Sequence, residues 1–247
     1  MKTRIGIALG LLLSTTACTT PPAAPAPTGA DDGPRLGNVL FVGDSVAAGE
    51  SAPLTEAFAA SDVQFRSIAS EGGGNIVGPN SEATWQRLRA AIKEGTPSVV
   101  IYQITTYDWG TPQEQEDAYT RLSTTVTAAG ATLVLVTMPP IKPDDFYAPH
   151  MEDLNRTRDA ARTVASASAG RVNLLDAHEV WGDEYQQQRD GKADRSSDGI
   201  HTCPQGAARF TAWLLTELAK IKPSFTPAPP GTWANTGWSA DKRFIGC

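Results

Sequence analysis

The sequence predicts an α/β fold: a five-stranded parallel sheet with helices on both of its faces. Three observations carry that expectation. Five short runs are apolar almost throughout, the pattern of strands buried on both faces. Helix-like segments of ten or more residues separate them, which suits right-handed crossovers between parallel strands. With 40% apolar and 19% charged residues, a chain of 247 residues can bury one full-sized core, and global disorder is excluded.

Asn38–Val42 (Asn-Val-Leu-Phe-Val) reads as the first strand, and the Ala-rich stretch from Val46 to Ala60 as the first helix. Val63–Ile68 is the second strand candidate. Ser81 to Glu94 reads as a helix capped by Ser81, with Trp85, Leu88 and Ile92 on one face and Gly95 and Pro97 beyond its end. Ser98–Ile104 is the third strand and Pro112 to Ala129 the next helix. Ala131–Thr137 is the fourth strand, Glu152 to Ala169 a helix, and Val172–Asp176 a short fifth strand. Gln205 to Lys220 is the last helix.

The ends of the chain read differently. Lys2 and Arg4 precede nine apolar residues, Ile5 to Leu13, too few for a membrane span of ~20. Small residues follow up to Cys18, so residues 1–18 read as a secretory signal. Small residues ending at a cysteine resemble a bacterial lipobox, although Thr15 stands where that motif usually has Leu. Acylation of Cys18 would make an exported, membrane-anchored lipoprotein; ordinary cleavage near Ala17 would make a secreted protein. Residues 19–35, rich in Pro and Ala, read as a semi-extended tether. The domain proper is then 36–222, and 223–247 a Pro- and Trp-rich tail. An exported chain with two further cysteines most simply pairs them, so Cys203 and Cys247 are expected to form a disulfide that pins the tail.

The charge narrows the function. It is −6 overall, and −8 once Lys2 and Arg4 are removed (19 basic against 27 acidic residues). No basic run exists, so nucleic-acid binding has no electrostatic support. Three cysteines and three histidines are too few for a zinc-finger or disulfide-knot protein. No amphipathic lid segment is visible, and the acidic balance disfavours an anionic bilayer surface as substrate.

Two short motifs carry chemistry. Gly43-Asp44-Ser45 follows the first strand and opens a helix, at the carboxyl edge where open parallel sheets place their sites. Ser45 there could be a simple helix cap. It could equally be a nucleophile whose own amide, at a helix N-terminus, holds an oxyanion. Asp198-Gly199-Ile200-His201 lies just before the last helix. A serine nucleophile needs a base, and the base an orienting acid. Asp198 and His201, three apart on one loop, can meet. His150 and His178 have no such neighbour at this spacing.

Taken together, Gly-Asp-Ser near the start and Asp-x-x-His before the final helix resemble the SGNH (GDSL-type) hydrolases. The resemblance implies a flavodoxin-like three-layer α/β/α sandwich and a serine esterase or acyltransferase that works through an acyl-enzyme. Carried over, Ser45 is the nucleophile, His201 the general base and acid, and Asp198 its orienter. The oxyanion donors are the Ser45 amide and Gly72, with Gly73 the next candidate. Tyr107 stands where the family has an Asn donor, so Tyr107 or a neighbouring threonine hydroxyl must substitute, or the hole is incomplete. Asp44, Asp108, Trp109 and Trp233 are the candidate substrate-binding residues, with Asp108 also suited to holding its loop. Trp233 and Trp238 should come near His201 if the disulfide forms.

Val136-Thr137-Met138-Pro139-Pro140 and Asn155 further resemble the extracytoplasmic SGNH domains attached to integral-membrane acyltransferases. That implies an O-acylated envelope sugar as the substrate, with transfer between sugars, or glycan binding without turnover, as the alternatives. No cofactor and no metal is implied; Asp144 and Asp145, with His150 and Glu152 nearby, read as a solvated loop. A monomer is expected.

Overall fold

The computed structural model describes residues 36–244, 246 and 247. Residues 1–18, expected to be an export signal with Cys18 as a lipidation site, and residues 19–35, expected to be a tether, lie outside the described residues. The main sheet has the strands β1 (Asn38–Val42), β2 (Gln64–Ser67), β3 (Val99–Gln103), β4 (Thr132–Val136) and β5 (Val172–Leu175). All are parallel, in the order β2-β1-β3-β4-β5. The connecting helices are α1 (Ser45–Ala60), α2 (Ser81–Gly95), α3 (Pro112–Ala128) and α4 (Met151–Ala167), and α6 (Pro204–Ile221) closes the domain.

The strands read as apolar runs because their alternate residues serve two cores. Val39, Phe41, Val99, Ile101, Val134 and Val136 face α1 and α6. Leu40, Val42, Val100, Tyr102, Leu133 and Leu135 face α2, α3 and α4. Each residue that leaves water stabilises the fold by ~25 cal/mol per Å² of apolar surface buried. The edge strand β2 gains least and is half-exposed.

Two local details differ from expectation. Ser81 is the first residue of α2 rather than its cap; Asn80 precedes it in a left-handed conformation (φ 58°) that asparagine tolerates. The stretch between β5 and α6, which carried no assignment, folds as the one-turn helix α5 (His178–Trp181) and a small hairpin, β6 (Gln188–Arg189) and β7 (Lys192–Ala193).

The tail is ordered against the domain. Phe225, Trp233 and Phe244 are buried, and the Cys203–Cys247 disulfide ties the last residue to the cap of α6. Among the described residues no helix is long and apolar enough to cross a membrane.

The strand order fixes where a site can form. The chain leaves β1 outward to β2, then returns to β3 on the other side of β1. Crossovers therefore diverge between β1 and β3, and a crevice opens at their carboxyl ends. The loops beginning at Gly43 and at Ile104 border it.

Candidate active site

Ser45 enters this crevice because its turn is tightly built. A side chain on Gly43 would collide with Ala47, and one on Gly74 would meet the Gly43 carbonyl. Asp44 caps α1: its Oδ1 accepts the Val46 amide at 3.0 Å, while its Oδ2 accepts the Thr106 amide at 2.7 Å and hydroxyl at 2.8 Å. Burial pushes the Asp44 carboxyl up against those hydrogen bonds. Asp44 therefore nails the β1 turn to the β3 turn. It is buried and does not line the cavity, in place of its expected substrate-binding role.

The second motif arrives from the other end of the chain. The Ser45 Oγ lies 2.8 Å from His201 Nε2, and His201 Nδ1 lies 2.7 Å from Asp198 Oδ2. Asp198 Oδ1 also accepts the amides of Ile200 (2.8 Å) and His201 (3.0 Å). Partial burial pushes Asp198 up, but the bond from the His201 ring and those two amides outweigh it, so the carboxyl stays below the usual range. Gly199, at φ 83°, makes this hairpin turn and packs on Lys142, whose amide donates to the Gly199 carbonyl at 2.9 Å.

A brace that the sequence did not reveal lies beneath. Arg195 is buried, and its guanidinium donates to the carbonyls of Pro140 (2.7 Å), Ile200 (2.6 Å) and His201 (3.3 Å). Burial lowers its pKa, but a guanidinium stays protonated in proteins. It thus ties the Ile200 and His201 carbonyls of the histidine loop to the Pro140 carbonyl beyond β4.

The crevice is a cavity of about 490 Å³ with Ser45 and His201 in its wall. Of the three glycines, Gly72 (φ 79°) lines it, whereas Gly73 does not and Gly74 packs on Gly43. Ser45 is the first residue of α1, so its amide has no acceptor within the helix. Of residues 105–108, Tyr107 alone lines the cavity. Its amide donates to Thr105 Oγ1, and the Thr106 hydroxyl is spent on Asp44. The Tyr107 hydroxyl is what this run offers.

Trp109 and Trp233 are corrected, and Asp108 takes the loop-holding one of its two expected roles. Asp108 is fully buried; it accepts the Tyr102 hydroxyl at 2.7 Å and the amides of Ile76 and Thr105 at 3.1 Å. Burial raises its pKa to about 6 despite those bonds. It holds the loop. Trp109 does not line the cavity: its ring stacks on His150 at 3.5 Å and its N–H donates to the Thr106 carbonyl. Trp233 is 2% exposed and belongs to the core packed on α1 and α6. Trp238 leans on Phe244 and does not line the cavity. A large apolar ring gains more by burial than at a wet rim.

The tail sends Lys242 and Arg243 to the cavity instead, and Glu71, Tyr147, Ser196 and Thr202 also line it. Arg243 is held by Asp241 at 2.6 Å and by the Ala48 carbonyl at 2.7 Å. Cys247 was the available signal that the tail returns here. Nothing in the sequence marked Tyr147.

A family model, the GDSL-like lipase/acylhydrolase family, matches residues 41–209, well over half the chain and with both motifs inside it. The chain belongs to that family. Solved structures share the fold of this GDSL-like hydrolase at low identity. A GDSL-like lipase from Bacteroides thetaiotaomicron is 14% identical, with a TM-score of 0.54 over 74% of this chain and 88% of that one. An α/β hydrolase from the metagenome of Lake Arreo is 16% identical, with a TM-score of 0.55 over 78% and 97%. A catalytic mutant of an acetylxylan esterase from Geobacillus stearothermophilus is 12% identical, with a TM-score of 0.53 over 76% and 96%. No curated protein sequence matches this GDSL-like hydrolase. The family makes it an ester-hydrolysing enzyme.

Proposed function

We propose that this GDSL-like hydrolase is an exported serine esterase that cleaves acyl esters on cell-envelope carbohydrate. One observation carries the chemistry: the Ser45 hydroxyl, the His201 ring and the Asp198 carboxylate form a continuous hydrogen-bonded chain opening into the cavity. Ser45 Oγ attacks the ester carbonyl while His201 Nε2 takes its proton. Asp198 holds the ring in the tautomer that presents a bare Nε2 and stabilises the imidazolium. The amides of Ser45 and Gly72, with the Tyr107 hydroxyl, face the developing oxyanion. The leaving alcohol takes the proton from His201. Water, activated by the same nitrogen, then hydrolyses the acyl-enzyme; a bound sugar hydroxyl in its place would give transfer.

Several features support the finer parts of this reading. The amino-terminal segment suits export, with Cys18 as the lipid anchor. The disulfide suits an oxidising compartment. The cavity wall mixes aromatic rings with Glu71 and Lys242, as a hydroxylated ligand requires. Reading the protein as a glycan binder without turnover rests on Tyr107 alone.

The test is direct. Wild type should hydrolyse p-nitrophenyl acetate and react with a fluorophosphonate probe, and Ser45→Ala should lose both signals. A well-folded wild type with neither signal sinks the enzyme reading. Fatty-acid labelling in the intact cell, lost in Cys18→Ala, tests the anchor; absence of label in wild type removes it.

A further inference from the structure

The side chain of Phe146 is the one large hydrophobic group that stands exposed among the described residues, at 53%. It sits in the loop between β4 and α4, and no part of the proposed mechanism uses it. Its ring packs at steep angles on Tyr107 (6.1 Å between centroids), Tyr147 (5.0 Å) and Trp109 (5.6 Å). Tyr107 and Tyr147 are in the wall of the catalytic cavity, so Phe146 extends that wall outward into solvent.

The ring is also held in place. Asp144 Oδ1 accepts the amides of Phe146 and Tyr147, each at 3.0 Å, and the Asp144 carbonyl accepts the Ala148 amide at 2.9 Å. The same loop is stitched to the Asp198–His201 turn by the Lys142 amide on the Gly199 carbonyl. Its position is thus set relative to His201 before any ligand arrives, which lowers the ordering cost of binding.

The surroundings select the occupant. Lys142, Pro143, Asp144, Asp145, Ala148 and Pro149 are all exposed around the ring. A fatty acyl chain or a lipid surface calls for a continuous apolar patch of a few hundred Å². A single exposed ring, backed by the partly exposed Tyr107 and Trp109 and bordered in the loop by charged and turn residues, does not supply that. It does suit a flat ligand with a C–H face and a rim of hydroxyls. We propose that Phe146 is the stacking platform for the pyranose ring of the acylated substrate, placed at the mouth of the cavity so that the ester reaches Ser45. This rests on the esterase reading above and deepens it by assigning a subsite.

The test compares two acetate esters with the same number of acetyl groups: methyl tri-O-acetyl-xylopyranoside, which has the ring, and glycerol triacetate, which does not. Neither carries an aromatic group that could itself stack on Phe146. Wild type should prefer the pyranoside. Phe146→Ala should lower kcat/KM for the pyranoside by about five- to tenfold, mainly through KM, as loss of one aromatic contact predicts. The loss on glycerol triacetate should be several-fold smaller. Phe146→Tyr should keep the preference, and Phe146→Leu, apolar but not aromatic, should lose it. Thermal unfolding of each variant checks that it folds. The subsite is overturned if wild type shows no preference, if Phe146→Leu keeps it, or if Phe146→Ala lowers both esters equally. Should wild type cleave neither ester, with Ser45→Ala indistinguishable from it, the esterase reading itself fails.

Discussion

Two histidine–aspartate pairs of nearly equal length occur in this molecule. His201 Nδ1 lies 2.7 Å from Asp198, and His178 Nδ1 lies 2.9 Å from Asp183. The second was not expected, because its partners are five residues apart and the turn at Gly182 brings them together. The pairs differ in what surrounds them. Asp198 also accepts two backbone amides, and its histidine turns its other nitrogen to Ser45. The Asp183 side chain is 89% exposed, and the second nitrogen of His178 has no hydrogen-bond partner among the described residues. A short imidazole–carboxylate bond is therefore common chemistry. A fixed carboxylate on one side and a nucleophile on the other make it a catalytic unit.

The comparison can be broken by removing one charge from each pair. Asp198→Asn should cut kcat for p-nitrophenyl acetate by ~10³–10⁴, as loss of the orienting acid does in a serine triad. Asp183→Asn should change it less than about twofold, as expected of an exposed ion pair. Equal losses would show that the surroundings count for nothing.

A third carboxylate sharpens the same point by its opposite sign. Asp198 is held down by its hydrogen bonds, whereas burial raises Asp108 to about 6. The folded protein then binds this proton more tightly than the unfolded chain. Stability should fall as pH rises from about 4 to about 6, by ~3 kcal/mol from this group, and level off above. Denaturant midpoints across that window measure it. Asp108→Asn lowers stability overall but should remove this part of the slope; an unchanged slope would contradict the assignment.

A smaller loss than that of Asp198→Asn tests the brace. Arg195→Ala frees the Ile200 carbonyl and leaves that of His201 with the Ser196 amide alone, and a displaced imidazole should lower kcat by about 10- to 100-fold with little change in KM. Arg195→Lys, which keeps the charge and part of the bonding, should recover some of that loss. A purely structural role would lower the melting temperature without this split between kcat and KM.

Legibility followed the range of the forces involved. The strands were readable because burial on both faces leaves continuous apolar runs, and each boundary fell within a residue or so of its expected place. Gly43-Asp44-Ser45 and Asp198–His201 were readable because each is a local turn with its own chemistry. The assignment of Asp44 to substrate failed, and the two expected roles of Asp108 could not be separated, because an aspartate near a nucleophile looks the same in sequence whether it faces solvent or buried hydrogen-bond donors. Trp233 failed similarly: a tryptophan in a Pro-rich tail gives no hint of the core it fills.

The amino-acid order alone determined the alternation of strands and helices, the two reactive turns and the cysteines that join the tail to α6. Those features arise from neighbours a few residues apart, through side-chain periodicity and turn preference. Tertiary structure decided that Ser45 and His201, 156 positions apart, lie within hydrogen-bond reach, that Arg195 underpins them, and that Phe146 and Tyr147 flank the opening. Such meetings depend on the order of strands in the sheet and on what packs beneath each loop. Those are sums over the whole core, and no short stretch of chain contains them.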